Sequence, residues 1–411
     1  MNRRVATILI CMMACLCSSL PTRAEEQQAA TVAVDTTAQL RDDYITASLL
    51  VVSPASEVYS LFGHLALRLF CPSQKMDYCF TFETSSDTQG LVRFLSGKAK
   101  GGFLASLTDN YLEAYRQAGR GITEYRLNMT PMEKLELWKR VDQAIVRGFC
   151  YRYDYMHTQC TSMCIALIGS ALSERIEYQA EPELVAGSFR DQLLAEAKTY
   201  PWSAFFWQTL MGPEGDSAEP FEHKLSPLQL PAVWRNATVG EGGQPLIDSD
   251  GTTLVEPSGK SSECMLTPTV VFTLLLIIMV IVTLAQLLSR RSAKCAADAP
   301  WADRCGKIVD VVLFVGHTML SLLLIWFVLS APHEGTAWNW YLLAFNPLPL
   351  LVCLVRPKWT VPCLRVFLVV LLAVLVLTPF VPQLDLPHAL LIGCIALRLA
   401  ARVVINKKKS T

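Results

Sequence analysis

The sequence predicts two joined parts: an α+β exported domain, then an all-α transmembrane bundle of about five helices. Three observations predict this. The chain of 411 residues is 52% hydrophobic, and the excess lies at its two ends. Its middle alternates strand-like and helix-like patterns and so reads as a folded domain. Its charge balances, with 36 Lys+Arg against 36 Asp+Glu, so no basic surface for nucleic acid is expected.

Residues 1–24 open with Asn2-Arg3-Arg4, continue through the apolar run "VATILICMMACLCSSL" and end in "PTRA". A basic region, a short apolar core and a small-residue cleavage site make a signal peptide ending at Ala24. Cys15 and Cys17 raise lipoprotein processing as an alternative, but neither has Leu at the third position before it.

From about residue 268 the chain offers five apolar segments: "PTVVFTLLLIIMVIVTLAQLL", "IVDVVLFVGHTMLSLLLIWFVL", "WYLLAFNPLPLLVCLV", "LRVFLVVLLAVLVLTPF" and "HALLIGCIALRLAARVVI". Each approaches the roughly 20 residues needed to cross hydrocarbon, the third and fourth being short. The loops alternate in charge. Residues 289–307 carry Arg290, Arg291, Lys294, Arg304 and Lys307, whereas 331–337 carry no Lys or Arg. The next loop holds Arg356 and Lys358, the following one none, and the tail ends "NKKKST". The positive-inside rule therefore puts residues 25–267 outside, which is also what a signal peptide requires.

Within the exported part, residues 44–52 read as a strand, and 64–70 with 77–83 alternate around "CPSQKM" as a hairpin. His64, Ala66 and Arg68 share one face of its first arm, with Leu65, Leu67 and Leu69 on the other. "TPME" at 130–133 has capping-box form with Pro131 in the first turn. Leu135, Trp138, Val141 and Ile145 follow at helical spacing, so a helix runs to about Gly148. Ile165, Leu167, Ile168 and Leu172 mark a second, mostly buried helix, with Cys160 at or near its N-terminus. Residues 213–263 are rich in Gly, Pro, Ser and acidic residues and read as a tether.

Fourteen cysteines sort by compartment: three in the signal peptide, five in or near the spans, and Cys71, Cys79, Cys150, Cys160, Cys164 and Cys264 outside. Cys71 and Cys79 flank a tight turn, where neighbouring strands can be cross-linked. No CxxC pair with zinc-site partners is present, so no metal is expected.

A thiol at a helix N-terminus meets free N–H groups and partial positive charge, which lower its pKa and can hold an oxyanion. Such a nucleophile needs a base. His64 fills that role if its strand packs against the helix of Cys160, with His157 as a competitor. Read from residues alone, a structural histidine and an inert buried thiol stay open beside it.

The stretches "SLFGHLALRL", "FLSGK" at 94–98, "GR" at 119–120, "LNMTPME" at 127–133 and "YDYMHTQCTS" at 153–162 occur in the order of one bacterial family. In them the chain resembles the membrane-bound lipoprotein N-acyltransferases (Lnb-like), which join an exported permuted papain-like (NlpC/P60-type) domain to a helical bundle. "PHEGTAWNWYLLAFNPLPL" resembles that family's outer-loop segment at His333, Asn339, Asn346 and Pro347. The resemblance implies Cys160 as nucleophile, His64 as base and no cofactor. It departs from the family at Gln159, where Asn usually precedes the cysteine, and at Met163, where Arg is frequent. The third polar member is open between Thr81 and Glu83.

The implied reaction moves an acyl chain from a glycerophospholipid, through a Cys160 thioester, to the α-amine of a diacylglyceryl-cysteine lipoprotein. Its partners are the phospholipid donor, the diacylated acceptor and membrane lipid. A cell-wall thiol peptidase or amidase is the alternative, as is a non-catalytic membrane-anchored binding protein. The expected organisation is a signal peptide at 1–24, a periplasmic papain-like catalytic domain at 25–212, a linker at 213–263 and a five-helix transmembrane domain at 264–411. The expected location is the bacterial inner membrane, with the catalytic domain facing the periplasm.

Overall fold

A computed structural model describes residues 44–55, 60–84, 93, 96–178, 187–217, 225–247, 250–258, 266–290, 300–330, 338–349 and 360–407. The expected signal peptide lies outside them. The first half is built on an antiparallel sheet of seven strands: β1 (Thr46–Val52), β2 (His64–Cys71), β3 (Met76–Thr84), β4 (Lys100–Leu107), β5 (Ile122–Arg126), β6 (Cys150–Arg152) and β9 (Thr252–Val255). Their order is β6-β4-β3-β2-β1-β5-β9. The expected strand and hairpin are β1, β2 and β3, and the turn between the last two is a short 3-10 segment, Pro72–Gln74.

Period-two alternation gives this sheet two buried faces. Leu49, Val51, Leu65, Leu67 and Leu69 join the main core on one side. There they pack with helix α2 (Pro131–Val146) through Leu137 and Val141, and with α3 (Cys160–Ala171) through Cys164 and Ile168. Leu50, Val52, Ala66 and Cys79 occupy the opposite face with Tyr111 of α1 (Thr108–Gln117). Helix α2 begins as the motif predicts: Thr130 and Glu133 form the reciprocal capping box with Pro131 in the first turn.

The alternation also argues against the Cys71–Cys79 cross-link that the hairpin left possible. Cys71 pairs in register with Met76 and Cys79 with Arg68, and the two side chains sit in the cores of opposite faces. Both are free thiols.

The 213–263 tether is corrected as well. In its described parts, Leu225 and helix α6 (Leu230–Trp234) bury in the main core, and β8 (Ala237–Val239) pairs with β7 (Ile176–Tyr178). Strand β9 then closes the sheet beside β5. Strands this short carry no legible period, and their partners lie far back in the chain. Two further helices, α4 (Phe189–Glu196) and α5 (Pro201–Leu210), form a satellite core with Leu61, Tyr155 and Met156.

Among the described residues, four helices are long and apolar enough to cross a membrane: α7 (Pro268–Ser289), α8 (Pro300–Ser330), α10 (Thr360–Leu377) and α11 (Leu386–Lys407). The expected third span begins as α9 (Tyr341–Ala344), breaks around Asn346, and passes outside the described residues after 349. At the break Asn346 bonds the Leu343 carbonyl at 3.0 Å. Arg398 of α11 is fully buried, paired with Asp310 of α8 at 2.7 Å and bonded to Thr283 and Gln286 of α7. A charge at such depth persists only when every donor is met, and here it knots three helices together.

Helix α5 links the two halves. Gln208 donates to the Pro382 and Gln383 carbonyls at 3.0 and 2.8 Å, and Phe205 stacks on His388. Asn339 donates to the Thr209 carbonyl at 2.8 Å, and its own carbonyl accepts from the Tyr341 N–H and from Gln383. Leu210 is buried in the core of the bundle. Of the outer-loop residues noted in the sequence, Asn339 thus joins the halves, whereas His333 lies outside the described residues.

Candidate active site

Gly63 sets the entry to β2. Its φ is +77°, and a Cβ there would come within 2.6 Å of the Val52 carbonyl oxygen, so the tight approach needs glycine. The turn delivers His64 to the first position of the strand, its side chain 16% exposed. Nε2 of His64 lies 2.6 Å from Thr81 Oγ1 and 3.6 Å from Glu83 Oε1, both on β3. That leaves Nδ1 for the partner on its other side.

The partner is Cys160, the first residue of α3, whose thiol is electrostatically coupled to His64 and lines the same cavity. The loop before it is tied down. Asp154 Oδ1 accepts the N–H groups of Met156 and His157, and the Ser162 hydroxyl accepts the Gln159 N–H and donates to the His157 carbonyl. His157 turns toward Asp154, 3.6 Å away, and does not line the cavity onto which Cys160 opens. The structure thus brings together the two expected site residues and sets the competing histidine apart. Thr81 and Glu83, left open as the third polar member, both reach the imidazole.

The electrostatics of the pair follow from this packing. Burial alone raises a thiol's pKa, but the charge and hydrogen bond of His64, with the Leu65 N–H, outweigh it and hold Cys160 below its usual value. Burial alone depresses His64, yet Tyr115, Cys160 and Glu83 hold it well above the ordinary histidine range. Burial likewise works against ionised Glu83, and the bond to His64 wins, keeping that carboxyl below its usual value. Both shifts favour the charged forms, a thiolate beside an imidazolium, with the Glu83 carboxylate behind them. The first N–H groups of α3 lack intrahelical partners, as at any helix N-terminus, and Cys160 stands at that end.

His64 and Cys160 line a cavity of about 320 Å³. Trp207, Phe62 and Tyr155 form its apolar side; Gln159, Arg120 and Glu196 supply polar groups. Glu196, at the end of α4, lies beside Ser226, and burial lifts its carboxyl to about 7. Neither Arg120 nor Glu196 was singled out as a site residue from the sequence. "GR" at 119–120 marked only a resemblance, and Glu196 looks like any helix-surface glutamate until the fold closes over it.

Residues 33–191 match the family model described as Lnb N-terminal periplasmic domain. Residues 260–410 match the one described as Lnb transmembrane domain. Comparison with curated proteins and with solved structures gives no match.

Proposed function

The chain belongs to the Lnb family and is a multi-pass membrane protein with a periplasmic domain, and from that premise we propose that it is a lipoprotein-modifying enzyme, an N-acyltransferase with Cys160 as nucleophile and His64 as base. The observation that carries the reading is the His64–Cys160 contact at a helix N-terminus, facing a partly apolar cavity. A histidine on a strand that precedes the helix-borne cysteine supports the permuted papain-like description of the domain.

In the first half-reaction the Cys160 thiolate attacks an ester carbonyl of a glycerophospholipid. The oxyanion rests against N–H groups of the first turn of α3, the ester C–O bond breaks, and the His64 imidazolium gives its proton to the departing glycerol oxygen. The products are an acyl thioester on Cys160 and a lysophospholipid.

The second half-reaction has a stricter proton inventory. The α-amine of the acceptor arrives as an ammonium and leaves as an amide, so nitrogen gives up two protons. Neutral His64 takes one as the C–S bond breaks, which restores the thiolate–imidazolium pair. Glu196 takes the other and passes it to solvent. Its carboxyl titrates close to the ordinary range of an α-amine, as a proton acceptor at neutral pH should. The other titratable groups facing the cavity are Glu83, which is committed to His64, together with Tyr115, Tyr153, Tyr155 and Arg120.

Intact-mass analysis of an N-terminal lipopeptide tests the reading, using cells that carry the wild-type chain or Cys160→Ala. The expected result is loss of one acyl mass in the variant, with diacyl product accumulating. Equal acylation in both would remove the transferase reading.

A further inference from the structure

Arg120 sits in the turn between α1 and β5. Its Nε donates to the Ser53 carbonyl at 2.8 Å, and its guanidinium lies 5.0 Å from the centre of the Tyr115 ring. Two contacts thus fix the plane of the group. Its Nη2 is buried and has no hydrogen-bond partner among the described residues, although the side chain lines the same cavity as Cys160. No ion pair joins Arg120 to Glu83 or Glu196 among those residues: the first faces His64 and the second Ser226.

A buried guanidinium nitrogen without an acceptor is costly, and neither the Ser53 carbonyl nor the Tyr115 ring neutralises the charge. An anion that enters the cavity with the substrate supplies both the missing acceptor and the opposite charge. A phosphodiester fits, because its oxygens accept the parallel N–H bonds that a guanidinium presents. In a glycerophospholipid the phosphate and the ester carbonyl are a few bonds apart, so one cavity holds both.

We infer that Arg120 seats the phosphodiester of the acyl donor and thereby selects glycerophospholipids over neutral glycerides. This rests on the acyl-transfer reading. Arg120 positions the donor and takes no part in bond making.

The test compares the full-length protein with Arg120→Gln on two donors with the same chains, a phosphatidylcholine and a diacylglycerol, using a synthetic diacylglyceryl-cysteine peptide as acceptor. The expected result is a KM for phosphatidylcholine raised about tenfold or more, with kcat kept and the diacylglycerol rate nearly unchanged. Equal loss on both donors, or none on either, overturns the inference. Inorganic phosphate forms a third arm. Competition against phosphatidylcholine alone is expected, whereas equal inhibition of both donors would mean that phosphate acts elsewhere than at a phosphodiester seat, which also overturns it. A calorimetric arm measures binding of short-chain phosphatidylcholine to Cys160→Ala with and without Arg120→Gln. Binding that needs Arg120 in a protein whose wild type transfers no acyl chain would retain the phosphate site and dismiss the acyltransferase; binding indifferent to Arg120 would dismiss the site.

Discussion

Thr209 Oγ1 lies 2.8 Å from Nε2 of His388, joining helix α5 to the last span of the bundle. The opposite ring nitrogen of His388 is 2.5 Å from Asp385. Trp207, two residues earlier on the same helix, lines the cavity. Helix α5 therefore serves as a wall of the candidate site and as a beam fastened to the membrane domain.

Asn339 is one such fastening, with bonds to Thr209, Tyr341 and Gln383. Asn339→Ala strands several buried groups and is expected to cost about 2–4 kcal/mol. Thermal unfolding of the purified full chain should show a lowered midpoint, and acyl transfer should fall although no residue of the cavity has changed. An unaltered midpoint would mean that the junction carries little stability.

Alkylation of Cys160 by iodoacetamide reports its thiolate. Since His64 is what brings this thiol below its usual pKa against burial, His64→Ala should leave burial unopposed and move the alkylation profile to higher pH. At neutral pH the rate should drop about tenfold or more. A profile that does not move would separate the two side chains functionally.

The active pair exists above the pKa of Cys160 and below that of His64, so the first half-reaction should be bell-shaped in pH. Glu83→Gln removes a group that raises His64, and the alkaline limb should therefore move to lower pH. The rate at the optimum should fall about 10²-fold from lost orientation of the ring. Lysophospholipid release measured across pH gives both numbers, and a retained alkaline limb would assign ring orientation to Thr81 alone.

Glu196→Gln should leave lysophospholipid release in a single turnover intact while slowing aminolysis about 10²-fold at neutral pH. The wild-type second step should gain rate as pH rises through about 7, where Glu196 ionises. In the variant that gain should wait until the amine sheds its own proton near its ordinary pKa of about 8. Equal aminolysis by both proteins at all pH values would return Glu196 to a structural role.

The parts of the molecule that could be read from sequence are those whose signals are local. The β2–β3 hairpin announces itself by alternation around a turn, α2 by the Thr130–Glu133 box, and the N-terminal placement of Cys160 by the apolar residues behind it. What escaped depends on distant partners. Strand β9 has only four residues and pairs with a strand more than a hundred positions earlier. Asn339 was marked by resemblance, but its partner on α5 shows only when that helix is laid against it. Arg120 and Glu196 acquire their character from burial, which no single stretch of sequence displays. A Cys71–Cys79 bridge stays open on hairpin proximity alone, which says nothing until register assigns each residue a face.

Strand β9 also sets a schedule. The sheet is complete only when residues up to Val255 are available, and Pro268 opens the first span soon afterwards. Chains are made from the N-terminus onward, and contacts between distant residues close slowly. During synthesis β5 thus remains an open edge for more than a hundred residues, exposed to any extended chain that offers a strand. The enzyme's own edge strand arrives just ahead of membrane insertion, so maturation of the soluble half and anchoring of the chain are nearly simultaneous events, and a chain cut before Val255 is left with an unpaired edge prone to association.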